Sequence, residues 1–348
     1  MTAPYDLAVN LPLREHVAAR LRDALARAPV DARMLGYPAP GGDAPTLEAI
    51  AAWMRRHGGH TTLDARRLVL TLGARHALML ALRLCCRPGD ALLVERLTYH
   101  GFRAAADAWG VRLVAVDMDG DGLCPAALER AIVVHGARTL YVQPTLHNPT
   151  TVTQPLARRR EIAGVAAAHG LTVIEGDVYS ALVAGERPTP LASLLPDRCL
   201  HAGGIGKVLG PGLRIGWLLL PDDARRDAAV ADIARESDGL PLLLPSVIAG
   251  WLMDGTADAL LRDLRDALRE RNATARALLG DRLVTADALH AWLPRHDADR
   301  IVADSRAVGV AVTPADGGIR LSLAAEEDPV RLETALRRVA AVLAGRAT

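Results

Sequence analysis

His201-Ala202-Gly203-Gly204-Ile205-Gly206-Lys207-Val208-Leu209-Gly210-Pro211-Gly212-Leu213-Arg214-Ile215-Gly216-Trp217 contains the only lysine of the chain. The other 40 of the 41 basic residues are arginine, in a composition biased toward Ala, Arg and Leu. Arginine replaces lysine readily where charge alone matters. A lone lysine therefore nominates itself for work that needs an amine able to lose its proton and act as a nucleophile. The count by itself leaves an ordinary surface lysine equally open, so the neighbourhood must decide. Glycines here bring the backbone close to a ligand, and Arg214, seven residues on, offers a planar cationic fork suited to phosphate.

Working upstream, Ile174-Glu175-Gly176-Asp177-Val178-Tyr179 follows an apolar strand-like run. With strand geometry, Asp177 and Tyr179 face the same side, at the C-terminal edge where α/β sheets bind ligands. Gln143-Pro144-Thr145-Leu146-His147-Asn148-Pro149-Thr150 ends another such run with a turn. An amine, a carboxylate, a phenol and an amide thus gather on adjacent strand ends beside a phosphate anchor. That set suits a pyridine aldehyde cofactor held as a Schiff base.

The rest of the chain supports an α/β frame. Short β-rich runs at 67–71, 91–95, 112–116, 139–142, 171–175 and 217–220 alternate with amphipathic stretches such as 74–87 and 156–169. This alternation predicts a mostly parallel sheet sandwiched by helices. Beyond Asp222 the pattern becomes helical, at 223–236 and continuously from 245 to about 279. A mixed region follows, and then a final helix opened by Asp328-Pro329. The segment 11–28 is also helical in pattern. We expect an opening segment and helix at 1–34 packing with the small domain, a large ligand-binding domain at 35–225, and a small C-terminal α+β domain at 226–348.

Composition narrows the function classes. The chain has 348 residues, 50% of them hydrophobic, and 41 basic against 40 acidic side chains. High apolar content with near-zero net charge excludes disorder and argues against nucleic-acid or polybasic membrane partners. Met1-Thr2-Ala3-Pro4-Tyr5-Asp6 has no basic and apolar regions of a targeting signal, and no run reaches membrane-spanning length, so a cytoplasmic protein is expected. Cys85, Cys86, Cys124 and Cys199 lack metal or redox spacing and read as reduced thiols. His57 and His60 have no credible ligand set, so no metal is expected.

Together these motifs resemble the fold-type I enzymes dependent on pyridoxal 5'-phosphate (PLP), of the class I/II aminotransferase kind. The nearest likeness is to aminoadipate-type aminotransferases and the effector domains of MocR regulators. The resemblance runs from Asn10-Leu11-Pro12 to Ile319-Arg320-Leu321-Ser322. It implies that Lys207 forms the Schiff base and moves the proton, and that Asp177 pairs with the pyridinium nitrogen. Tyr179 and Asn148 bond the ring's phenolic oxygen, while Tyr99 stacks on the ring. Gly73, Ala74 and Arg75, opening a helix, hold the phosphate together with Arg214. Tyr37, in Gly36-Tyr37-Pro38, reaches the phosphate of a neighbouring subunit, so a homodimer is implied. Arg320 clamps the substrate α-carboxylate, with Asn148 and Asn10 also on the substrate side. His100 and His147 flank motif residues without a direct role. Taken singly, Asp177 can be read as a helix cap, Tyr99 as packing, Asn148-Pro149 as a turn and Arg320 as a surface ion pair; their order along the chain is what joins them.

The chain departs from the family pattern where Gly204 and Gly206 stand in place of serines, and where Asn148-Pro149-Thr150 continues to Thr151 instead of glycine. Phe102 is the only phenylalanine, which gives little reason to expect an aromatic substrate. The implied function is transfer of an α-amino group from an amino acid to a 2-oxo acid. The alternatives are other PLP chemistry on an amino acid (decarboxylase, β/γ-lyase or oxidase) and a non-catalytic MocR-like effector module. About 35 residues precede Tyr37, fewer than a basic helix-turn-helix domain with a linker needs, so the enzyme is the expectation.

Overall fold

A computed structural model describes residues 4–345. Met1, Thr2 and Ala3, part of the stretch read above for a targeting signal, lie outside the described residues. In chain order the first elements are β1 (Tyr5–Leu7), α1 (Glu15–Arg27), α2 (Ala44–His57), β2 (Leu68–Leu72), α3 (Gly73–Cys85), β3 (Ala91–Glu95), α4 (His100–Ala108) and β4 (Arg112–Val116). Next come a small hairpin of β5 (Met118–Asp119) and β6 (Gly122–Leu123), then α5 (Pro125–His135), β7 (Thr139–Val142), α6 (Leu156–Ala168), β8 (Thr172–Asp177), α7 (Leu191–Leu194), β9 (Cys199–Gly204) and β10 (Ile215–Leu219). The remainder is α8 (Asp223–Ser237), α9 (Leu243–Asp254), α10 (Thr256–Leu279), β11 (His290–Pro294), α11 (Ala298–Ala307), β12 (Val310–Ala315), β13 (Gly318–Ser322) and α12 (Pro329–Leu343).

Seven strands form the main sheet in the order β2-β10-β9-β8-β7-β3-β4. Strands β9, β8, β7, β3 and β4 run parallel, and β10 is antiparallel to both β9 and β2. Strand β2 therefore points the same way as β9, so the C-terminal ends of β2, β9, β8, β7 and β3 share one edge. Helices cover both faces, which is why β7 and β9 are buried along their whole length. One face packs Leu80, Leu92, Phe102 and Leu218, and the other packs Leu93, Leu140, Ile162 and Val173.

A second sheet, β1-β12-β13-β11, gathers the first strand of the chain with the last three. Its core is Leu7, Ile301, Val310, Leu321, Leu336 and their neighbours. Aspartates cap α2, α8 and α12, each accepting from a first-turn backbone N–H, a contribution of about 1 kcal/mol apiece. Among the described residues no helix is long and apolar enough to cross a membrane.

Two sequence expectations need correction, and one strand has no counterpart in the sequence reading. The stretch from 245 to 279 is two helices, because Gly255 takes a left-handed conformation (φ +88°) that closes α9 and lets α10 start on a new axis. The opening helix begins at Glu15 rather than residue 11, and the segment ahead of it, at Ala8 to Leu11, borders the site described below. Strand β9 has no strand-like signature in the sequence: His201 and three small residues hide its character, although it lies in the middle of the sheet.

Candidate active site

The shared strand edge opens into a cavity of about 710 Å³ lined by residues of both sheets. Lys207 sits on a short turn just past β9. Its Nζ donates to the backbone carbonyl of Asn10 at 2.6 Å and lies 5.9 Å from the centre of the Tyr179 ring. Burial, reinforced by the Arg320 and Arg75 charges, lowers its pKa to about 8. The amine is thus far closer to its neutral, nucleophilic form than a surface lysine.

Asp177 ends β8 as a buried carboxylate whose Oδ1 accepts from the backbone N–H of Tyr179 (3.3 Å) and Ser180 (2.9 Å). Behind it, His201 lies between Glu175 (3.2 Å) and the other Asp177 oxygen (4.0 Å). Glu175 also accepts from the N–H groups of Leu191 and Ala192. Burial alone would raise the Glu175 pKa, but the His201 hydrogen bond and charge bring it down to about 2. Burial opposes a charge on His201 as well, yet Glu175 raises its pKa overall. A hydrogen-bonded His201–Glu175 pair therefore underlies Asp177.

Tyr179 is buried, and its phenol pKa is pushed up to about 12 by that burial against the pull of Arg320. Arg320, on β13, is buried and donates to Asn148 Oδ1 (3.1 Å), Thr313 Oγ1 (3.2 Å) and the carbonyl of Ala8 (2.6 Å), while its Nε has no partner. Because guanidinium only donates, the Asn148 oxygen faces Arg320 and its NH₂ is left for the cavity.

The first turn of α3 points its backbone N–H groups, which have no acceptor within the helix, into the same space. Gly73 reaches this position at φ +78°, with Arg214 stacked beside it and bonded to the carbonyl of Leu72. Arg75 bonds the hydroxyl of Tyr99 at 3.1 Å. The two glycines that replace serines sit where chain segments nearly touch. A Cβ at Gly204 would lie 3.3 Å from the Ala74 nitrogen, and one at Gly206 would lie 3.2 Å from Pro211 Cα. Thr151 occupies φ +62°, a left-handed conformation unfavourable for a β-branched residue.

The cavity lining thus brings together Lys207, Tyr179, Asn148, Tyr99, Gly73, Ala74, Arg75, Arg214, Arg320 and Asn10. Asp177 lies beneath it. Tyr37 does not line it and is 91% exposed. His100 is at the rim, and His147 is buried with Nε2 at 3.3 Å from Glu95. Sequence reasoning quoted Gln143 within a motif without giving it a role, and missed Tyr141 and Thr313 in the lining and His290 just behind it for want of any local motif.

Among the described residues the lining carries Arg75, Lys207, Arg214 and Arg320, with His100 at its rim, and no carboxylate. That inventory fits a phosphorylated carbonyl compound beside a carboxylate. The helix start suits phosphate, the orphaned Arg320 Nε suits a carboxylate, and Lys207 suits an aldehyde.

The fold is that of fold-type I, and the chain belongs to the aminotransferase class I and II family, whose model matches residues 4–339. Members of this family depend on pyridoxal phosphate. Aminotransferase swnA of Metarhizium robertsii is 41% identical over 163 residues, 43% of this chain and 33% of that protein. An uncharacterized HTH-type transcriptional regulator of Escherichia coli, YdcR, is 31% identical over 239 residues, 68% of this chain and 50% of that protein. The chain spans about half the length, or less, of the curated relatives it matches. Among solved structures, LysN, the α-aminoadipate aminotransferase of Thermus thermophilus, superposes with a TM-score of 0.87 at 23% identity, covering 98% of this chain and 92% of that one. An archaeal alanine:glyoxylate aminotransferase gives 0.88 at 20% identity, covering 99% and 92%. These two likenesses concern the fold.

Proposed function

We propose that the chain is a PLP-dependent aminotransferase that passes the α-amino group of an amino acid to a 2-oxo acid. The observation that carries this reading is the convergence of Lys207, Arg320 and the α3 N-terminus on one cavity without a carboxylate in its lining. When bound, pyridoxal phosphate supplies an aldehyde that condenses with amines and a ring that takes up the electrons of a bond broken at the α-carbon. The Ala74 and Arg75 N–H groups and Arg214 hold the phosphate, and Tyr99 covers the ring. Asp177, fixed by two backbone donors, would face the ring nitrogen. Tyr179 and the free NH₂ of Asn148 donate to the ring's phenolic oxygen.

Arg320 binds the α-carboxylate, and Asn10 and Asn148 border the same end. Lys207, with its pKa near 8, removes the proton from the substrate α-carbon and returns it elsewhere as a general base and acid. Tyr37, exposed and apart from its own cavity, is read as the phosphate contact of a second copy, so the working unit is a homodimer. The opening segment at 1–34, large domain at 35–225 and small domain at 226–348 remain our division of the chain. The joining of β1 to the C-terminal sheet supports placing the opening segment with the small domain.

The test is to load the chain with PLP, add single amino acids without an acceptor, and measure 2-oxo acid and pyridoxamine phosphate together. Their equal formation, reversed by a 2-oxo acid, is expected. Release of carbon dioxide, ammonia without pyridoxamine phosphate, or hydrogen peroxide would instead assign decarboxylase, lyase or oxidase chemistry. The matches to HTH-type regulators favour one further reading, an effector module, for which the result is amino-acid binding without product.

A further inference from the structure

His290 lies on β11, in the second sheet, and is fully buried. Its Nε2 is 3.2 Å from the backbone carbonyl oxygen of His147. A carbonyl only accepts, so Nε2 carries the ring proton and Nδ1 is a bare acceptor. Nδ1 in turn lies 3.2 Å from the side-chain amide of Asn10, which must therefore present its NH₂. The same NH₂ sits 2.9 Å from the hydroxyl oxygen of Tyr179. One amide hydrogen serves His290 and the other serves Tyr179, whose oxygen accepts.

Two further observations fix this orientation. Among the described residues the Asn10 Oδ1 is buried without a partner, and turning the amide over to relieve it would set two acceptors face to face. The imidazole also stays neutral. Burial lowers its pKa to about 3, Arg320 adds to this, the His147 carbonyl opposes it, and Lys207 and His147 lower it further. The Tyr179 ring is a further ionisable neighbour, with ring centres 5.4 Å apart, and among the described residues no carboxylate hydrogen-bonds to His290. With its oxygen already accepting from Asn10, Tyr179 keeps its own proton unspent, and the cavity is the space it borders.

We propose that His290 is a positioning residue which, through the Asn10 amide, turns the Tyr179 hydroxyl so that its proton is offered into the cavity. The inference rests on the PLP reading, under which the proton is offered to the ring's phenolic oxygen. A donor there favours the anionic oxygen and lowers the pH at which the bound cofactor changes its absorbance.

Two experiments test it. In the ligand-free chain, side-chain ¹⁵N NMR of the histidines reads the tautomer directly. His290 is expected as a neutral ring protonated on Nε2 at neutral pH, whereas a proton on Nδ1 or an imidazolium overturns the proposal. In the PLP-loaded chain, the pH midpoint of the absorbance change is compared across variants. His290→Leu is expected to raise it by about one unit, a tenfold change in proton affinity, and His290→Gln, which keeps a donor and an acceptor, to restore much of the difference. Tyr179→Phe should raise the midpoint as well, and adding His290→Leu to it should change nothing more. An unchanged midpoint in His290→Leu, or an equal shift on the Tyr179→Phe background, overturns the proposal. If His290→Leu does not fold, His290→Gln against Asn10→Ala gives the same comparison. Failure of the wild-type chain to take up PLP contradicts the functional reading, while the tautomer still decides the orientation of Asn10.

Discussion

The ε-amine of Lys207 is held by the backbone oxygen of Asn10, 2.6 Å away, and not by a carboxylate. A neutral carbonyl fixes the amine's position without stabilising its proton strongly enough to offset burial and the charges of Arg320 and Arg75. Its pKa accordingly falls from 10.5 to about 8. The rate of PLP attachment to the ligand-free chain should rise roughly tenfold per pH unit and level off above about pH 8. Stopped-flow absorbance measures it. A rise continuing to the range of an ordinary lysine would contradict the environment described here.

Arg320 combines a planar fork with three fixed oxygen partners, from Asn148, Thr313 and Ala8. Lysine retains the charge but not the geometry. Arg320→Lys should reduce kcat/KM for the amino acid by about 2–3 kcal/mol, expressed mainly in KM. Steady-state kinetics at saturating PLP checks this. A variant with normal KM would remove Arg320 from carboxylate binding.

The Glu175–His201 pair gives stability a pH signature. Glu175 is depressed from 4.5 to about 2, so its contribution is complete above pH 4.5 and is lost as pH falls toward 2. The His201 pKa is raised above 6.5, so its contribution is complete below that pH and is lost as pH rises through the raised value. Urea unfolding should show greatest pair stabilisation between about pH 4.5 and 6.5. Glu175→Gln should cost about 3 kcal/mol within that window and flatten the acid limb. An unchanged acid limb would show that the pair does not carry it.

Thr151 is the opposite case, a residue whose replacement should help. At φ +62° a β-branched side chain is strained, and glycine removes the strain while giving back some unfolded-state entropy. Thr151→Gly should stabilise the chain by about 1 kcal/mol in urea unfolding. Destabilisation would mean that the threonine side chain contributes more than its backbone loses.

Much of the frame is legible because it is written locally. β3, β4 and β7 are short runs rich in Leu and Val whose observed limits coincide with the sequence reading. Strand β9 is not legible, because its character comes from its neighbours: His201 is tolerated in a buried strand only because Glu175 sits opposite it on β8. The site divides in the same way. Lys207, Asp177, Asn148 and Arg214 belong to short motifs, and the fold brings them to one edge. His290 has no motif, since its partner Asn10 is 280 residues away and the relation exists only after the second sheet has gathered β1 and β11. Gly204 and Gly206 read as missing hydroxyls in the sequence, whereas in space they mark the close approach of α3 and of Pro211.

The most direct measurement uses the fact that the chain has one lysine. PLP is added to the purified chain, the complex is reduced with borohydride, and mass spectrometry locates the pyridoxyl group after digestion. The label is expected on the peptide containing Lys207, and it should diminish when a substrate amino acid is added before reduction. A chain that remains unlabelled, or is labelled only at its terminal amine, would contradict the assignment of Lys207 and with it the proposed enzyme.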